Sequence, residues 1–221
     1  MLNLLKMNSS YKIPVFPLKG VIVFPQSFLP LNIFEPRYLS MVDDALKTDE
    51  RMIGIVQPNK VISESNNLTI HEIGCLTKII KFEELEDKRF LVTLKGISRF
   101  RAISEEMSPG GYKKAKINFE SFEDDKTYSL ESEEFKFKDD KRLKIAIKNY
   151  FDKNNIKGDL DYINSCENKS LINQISMLCP FNSDEKQMLL ESKFIEDRYI
   201  LLISLLEDNL ITEKNQNAIK H

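Results

Sequence analysis

Phe16 to Met41 reads FPLKGVIVFPQSFLPLNIFEPRYLSM, four prolines set among apolar residues that then give way to a short helical pattern. Pro17, Pro25 and Pro30 lack the amide hydrogen that a central strand donates, so the apolar pieces between them are expected to be short or edge strands. Leu29, Leu31 and Ile33 alternate with Pro30 and Asn32, as one buried face of a strand requires. Pro36 has the fixed φ of a first helical turn, and Glu35 stands at the positive end of the helix dipole. Tyr38, Leu39, Met41, Val42, Ala45 and Leu46 follow at helical spacing. A helix over residues 36–47 is therefore expected to lie against the strands and close one end of a small β-structure.

Working outward, residues 1–10 show no period and read as a flexible lead-in. Residues 13–18 form the first strand candidate. After the helix, residues 51–56 are a short apolar strand stopped by Pro58, and 59–67 are a polar loop in which Asn66 and Asn67 suit left-handed conformations. Residues 69–82 form a longer strand interrupted by Gly74, which reads as a bulge where a sheet turns a corner. The charged run 83–88 is a hairpin tip. Phe90, Val92 and Leu94 then share one face, Gly96 allows a turn or bulge, and Arg99 and Arg101 oppose Phe100 and Ala102. A last alternating run spans 115–120. Short strands with turn signals between them and one early helix predict a closed or nearly closed antiparallel β-barrel over residues 11–122.

Residues 123–140 are acidic and lose periodicity, which marks a charged linker between domains. Beyond it the period is helical. Leu143, Ala146, Ile147, Tyr150 and Phe151 lie on one stripe that Asn154, Asn155 and Gly158 end. Leu171, Ile175 and Leu178 make a second stripe, stopped by Pro180. Ser183 reads as an N-cap with an incomplete capping box, since Lys186 holds the third position. Leu189, Leu190, Phe194, Ile195, Leu201, Leu202, Leu205 and Leu206 continue as one or two amphipathic helices. The predicted fold class is α+β: the barrel first, then an α-helical bundle over 141–210 and a frayed tail over 211–221.

The chain has 221 residues, 42% hydrophobic and 30% charged, with a formal net charge of -2. No apolar run approaches the roughly 18 residues of a membrane span. Neither a membrane partner nor a secretory leader is expected, and the reading is cytoplasmic. Cys75, Cys166 and Cys179 have no Cys-x-x-Cys spacing and read as reduced, small, buried or half-buried residues.

Several motifs recur in a familiar order. Pro30-Leu31-Asn32-Ile33-Phe34-Glu35-Pro36-Arg37-Tyr38, with Met41 after it, is followed by Ile53-Gly54-Ile55, by Glu72-Ile73-Gly74-Cys75, by Leu94-Lys95-Gly96-Ile97-Ser98-Arg99-Phe100-Arg101, and by Ser183-Asp184-Glu185-Lys186-Gln187-Met188-Leu189-Leu190-Glu191. Together they resemble the N-terminal, substrate-binding domain of the Lon proteases over roughly residues 11–210. The resemblance implies a PUA-like barrel plus a helical bundle. It further implies selection of unfolded or damaged polypeptide, in a stand-alone form as an adaptor in protein quality control whose partner is an ATP-dependent protease.

A search for chemistry is negative. These residues contain no Gly-x-x-x-x-Gly-Lys-Ser/Thr loop to cradle a nucleotide phosphate, so no such cofactor is expected. With only two histidines, His71 and the terminal His221, a catalytic base would have to be His71, and no catalytic residue is assigned. No His, Cys, Asp and Glu cluster has metal-ligand spacing. Two binding functions remain. One is recognition of apolar polypeptide, with Phe24, Pro25, Phe28 and Leu29 as the candidate surface; the alternative for both rings is burial in the core. The other is RNA, which the PUA resemblance suggests, but acidic residues interrupt the basic ones and the pI near 5.9 is far from the value of about 9 typical of such modules. Glu35, Arg37 and Arg99 are assigned to a structural charge network in which an arginine pairs with Glu35 and with backbone carbonyls.

Overall fold

A computed structural model of the chain describes residues 11–59, 69–125 and 140–218. The predicted lead-in, most of the polar loop and most of the linker lie outside the described residues. Six strands come first: β1 (Tyr11–Pro17), β2 (Phe28–Ile33), β3 (Met52–Val56), β4 (Ile73–Glu84), β5 (Phe90–Met107) and β6 (Lys113–Asn118), with α1 (Pro36–Leu46) between β2 and β3. A short 3-10 segment, Glu120–Asp125, ends this part. Then come α2 (Asp140–Lys153), α3 (Leu160–Ser165), α4 (Asn168–Leu178), α5 (Ser183–Glu191) and α6 (Ile195–Ala218). The chain is thus α+β, strands before helices.

The strand order is β2-β5-β4-β3-β1-β6, and β6 pairs back onto β5. Five strands close a ring, and β2 hangs from β5 as an edge. The ring is mixed and not wholly antiparallel, because β1 and β3 run parallel, Val15 facing Gly54 and Phe16 facing Ile55. The chain passes through β2 and α1 between them, a crossover long enough to return β3 in the direction of β1. Pro30 sits in the edge strand, where its missing amide hydrogen is tolerated. Pro25 lies in the turn that Ser27 closes by donating to the Phe24 carbonyl at 3.1 Å, with Gln26 at φ 66.

One long strand makes the ring possible. Straight, an 18-residue β5 would run roughly 60 Å. Instead it shifts register beside Gly96, where Thr77 faces Gly96 but Leu76 faces Ser98, and again between Ala102 and Ser104. These irregularities bend it so that one half pairs with β2 and the other with β6. Gly96 also meets the preceding turn: its amide donates to the Ser27 carbonyl at 2.8 Å, its carbonyl accepts from Gln26 at 2.9 Å, and an added Cβ would fall on the Phe24 carbonyl. Gly74, by contrast, is not a bulge. It pairs regularly with Phe100, and a Cβ there would stand 2.6 Å from the Val56 side chain and 2.7 Å from the Phe100 ring. Its role is close approach; the bulge in β4 falls at Ile80 instead.

Three apolar clusters hold the molecule. One fills the ring around Leu76, Phe100 and Ile117. A second lies under α1, which buries Tyr38, Met41, Val42 and Ala45 against Ile53, Ile79 and Leu94. The third packs α2 to α6 together and takes in Ile22, Phe24 and Ile73 from the strand part. Local details differ from expectation in three places. The N-cap of α5 is Asn182, whose side chain accepts from Asp184 and Glu185 while Glu185 answers the Asn182 amide, so the capping box is complete one residue earlier than predicted. Leu178 projects outward from α4. The backbone of α6 stays helical to Ala218, through most of the predicted frayed tail.

Gly96→Ala should destabilise the protein by at least about 2 kcal/mol, because a methyl group must displace backbone and not a flexible side chain. Urea denaturation with an unchanged m-value is the measurement that checks it.

Candidate functional site

The predicted charge network divides into two. Arg37 pairs with Glu35 through Nε at 3.1 Å and Nη2 at 2.8 Å, on the surface, with the side chains 54% and 45% exposed. Neither reaches into the fold, and Glu35 caps α1 without a side-chain hydrogen bond. Arg99 is elsewhere and buried. Its partner is Asp125, which the sequence reading left in the linker. Nε and Nη2 donate to the two carboxylate oxygens at 2.9 Å each, and the Arg99 amide donates to the same carboxylate at 2.9 Å. Both side chains are only 5% exposed. The remaining donors go to the carbonyls of Leu190 at 3.1 Å, in the last turn of α5, and of Ser192 at 2.6 Å and Lys193 at 3.0 Å, just past its end.

A second buried arginine, Arg198 of α6, meets the same helix end. It donates to the carbonyls of Leu189 at 3.1 Å and Ser192 at 3.2 Å and to the Asn173 side chain at 2.7 Å, and its guanidinium lies 4.0 Å from the centre of the Phe24 ring. Carbonyls at a helix C-terminus lack intrahelical partners and carry negative partial charge, so cations are suited to them. A pair of glutamines adds to this seam. Gln57 accepts from the Gly20 amide and donates to the Ser183 carbonyl at 2.8 Å and to Gln187 at 3.1 Å, while Gln187 donates to the Ile73 carbonyl at 3.1 Å. Asp125, Arg198, Gln57 and Gln187 were all missed; a polar residue inside an apolar helical run, as at Gln187 and Arg198, was the available signal.

The candidate binding residues separate as well. Phe24 is 0% exposed and Pro25 is buried, so these two belong to the core. Phe28 is 56% exposed at the start of β2, and Leu29 is half-buried against the cluster under α1. At the other end of β2, Phe34 is 65% exposed. The outer face of β2, β5 and β4 forms a groove of about 850 Å³ lined by Pro30, Ile80, Leu91 and Thr93 among others.

Nothing described here assembles into a catalytic centre. Buried hydroxyls serve backbone: Thr77 donates to Ile53 and Ser176 to Ile172, each at 2.7 Å. His71 lines a mixed-charge cleft of about 470 Å³ with Glu72, Arg101, Ser121, Glu191 and Lys193. There Arg101 pairs with Glu72 and also donates to the Ser121 hydroxyl at 3.5 Å. Burial pushes the Cys75 thiol far up and that of Cys179 up to about 12, so neither is a thiolate at neutral pH. The cysteines are free. Among the described residues no group of three His, Cys, Asp or Glu could hold a metal ion, and no helix is long and apolar enough to cross a membrane.

The described part is a mixed strand ring with helices docked on it and an exposed apolar face on the outer side of β2, β5 and β4. Comparison with known proteins places it in a family. Residues 12–208 match the family model described as the ATP-dependent protease La (LON) substrate-binding domain. The chain belongs to that family. Its members bind substrate and are not themselves the proteolytic part, and the matched residues are not an enzyme. Lon protease 1 of Bdellovibrio bacteriovorus is 24% identical over 94% of the chain, and Lon protease 2 of Sorangium cellulosum 27% over 48%. The chain spans only 26% and 13% of those two relatives. Among solved structures, the N-terminal domain of a Mycobacterium avium complex Lon protease superposes with a TM-score of 0.62 at 16% identity, covering 90% of this chain and 99% of that one. A Lon N-terminal domain protein from Xanthomonas campestris gives 0.61 at 18% identity, covering 88% and 98%.

Arg99→Ala should cost about 3–5 kcal/mol, because it leaves a buried carboxylate uncompensated, whereas Glu35→Gln should change stability by less than about 1 kcal/mol. Parallel urea denaturation curves of the two variants check the contrast.

Proposed function

We propose that the chain recognises exposed apolar segments of unfolded or damaged polypeptides and acts as an adaptor, in the cytoplasm, for an ATP-dependent protease. The observation that carries this reading is the family match over residues 12–208, since domains so described bind substrate. In it, residues 11–122 are a PUA-like barrel, 141–210 a helical bundle and 123–140 the linker between them. The apolar groups left in water support it. Phe28 and Phe34 flank the edge strand, and Leu29 lies between them. Large exposed rings at both ends of one strand are costly unless something covers them, and an extended peptide presents side chains at the matching spacing.

The test is fluorescence anisotropy of the full chain with a reduced, iodoacetamide-capped protein as the unfolded ligand. Phe28→Ala should weaken binding about fivefold, a loss of ~1 kcal/mol, with no loss of thermal stability. Phe24→Ala should instead destabilise by about 3–5 kcal/mol, since its ring is core. Equal binding by the unaltered chain and Phe28→Ala would discard this surface.

A further inference from the structure

The outward face of β2, β5 and β4 carries a charge arrangement that the strand ring does not use. On β5 the inward residues are Phe90, Val92 and Leu94, so Leu91, Thr93 and Lys95 point out. Lys95 stands directly opposite Lys78 on β4, with Phe28 opposite it on the other side. Like charges facing across a ladder repel each other. Lys81 follows in the next outward row, opposite Thr93. Among the described residues, Lys78, Lys81 and Lys95 make no ion pair. The acids nearest the strand ends are taken in part: Glu84 pairs with Lys88 and Asp87 with Arg89, which leaves Glu83 as the carboxylate lining the groove.

Beside the groove lies a second, polar depression that shares one lining residue with it. Ile80, the bulged residue of β4, lines the apolar groove together with Pro30 and Leu91, and it also lines a pocket of about 450 Å³ with Lys47, Arg51 and Lys78. Asp49 is the carboxylate of that pocket. An apolar trough thus adjoins one that holds Arg51 and Lys78, with Lys47 of the same pocket paired to Asp44 at 3.2 Å. Pro30 removes a donor from the edge of β2, so this edge is poorly suited to adding another strand, and side chains on the sheet face must supply the contacts.

We infer that this face binds extended client segments in which apolar side chains are followed by carboxylates. The apolar side chains cover Leu91, Pro30 and Ile80, and the carboxylates sit between Lys78 and Lys95 and relieve their repulsion. The assignment rests on the polypeptide-recognition reading above and names the class of segment preferred. Opposite charges aligned across an interface steer encounter and set selectivity more than they add affinity.

The experiment uses the full chain and short fluorescein-labelled peptides composed of Leu, Phe and Glu, with a counterpart carrying Lys for Glu, beside the iodoacetamide-capped unfolded protein. The acidic peptide should bind about tenfold more tightly than the basic one at low salt, and the ratio should shrink toward about 0.5 M salt as screening sets in. Lys78→Gln with Lys95→Gln should abolish the ratio while the unfolded protein is still bound and melting is unchanged. A ratio near one in the unaltered chain overturns the inference without need of the variant, as does a ratio that survives the double substitution. If the unfolded protein is bound in either case, polypeptide recognition stands without the acidic preference. If no polypeptide binds at all, both fall. An oligouridylate that binds through the same lysines more tightly than the acidic peptide assigns the face to nucleic acid and overturns the inference.

Discussion

A guanidinium in a nearly dry interior requires a full countercharge and a partner for each of its donors, and Arg99 obtains both from three separate pieces of chain. Its carboxylate comes from Asp125 after the last strand, its carbonyls from the end of α5, and its backbone from β5. The planar fork suits this task in a way a lysine would not, because its five donors leave in fixed directions toward different acceptors. Separating the helices from the strand ring would expose the charge pair to a partly broken network and return several helix-end carbonyls to no partner. The angle between helices and strands is therefore set by hydrogen-bond geometry as well as by apolar contact.

Arg198 extends the same constraint into the core. Its face lies on the Phe24 ring while its donors finish the end of α5. Phe24 in turn is fixed by the turn that Gly96 clamps. The proline-rich stretch is thus a strut: one end is buried between sheet and helices, and the other emerges as β2. Three residues separate a ring with no exposure from one more than half exposed, and the turn at Pro25 and Gln26 between them explains how both can be true.

What could be read from the chain alone follows a physical divide. Periodicity reports which face of an element is apolar, so the helix from Pro36, the buried row Phe90, Val92 and Leu94, the bulge at Gly96 and the edge position of Pro30 were all legible. Long-range pairing leaves no local mark. Nothing near Asp125 shows that it will meet Arg99, and nothing in β1 or β3 shows that they run parallel. Phe24 and Phe28 look alike in a composition window, because the turn that sends one inward depends on contact with Gly96, far along the chain. The N-cap of α5 was missed by one residue because Ser183 and Asn182 both suit the position, and only the reach of Glu185 decides between them.

The division of labour that results bears on what a recognition surface needs. Side chains that bind a variable partner must stay exposed, and exposed rings add nothing to folding, so stability has to come from elsewhere in the same stretch. Here it comes from Phe24, Ile33 and the α1 contacts, all on the inward side, while Phe28, Pro30 and Phe34 lie outside the three apolar clusters. An edge strand exposing apolar groups would ordinarily invite pairing with another chain, but a proline in its middle removes the donor such pairing requires. In the proposed reading the outer face is left open to side-chain contact with extended polypeptide, backed by a sheet whose inward side packs on the cluster under α1.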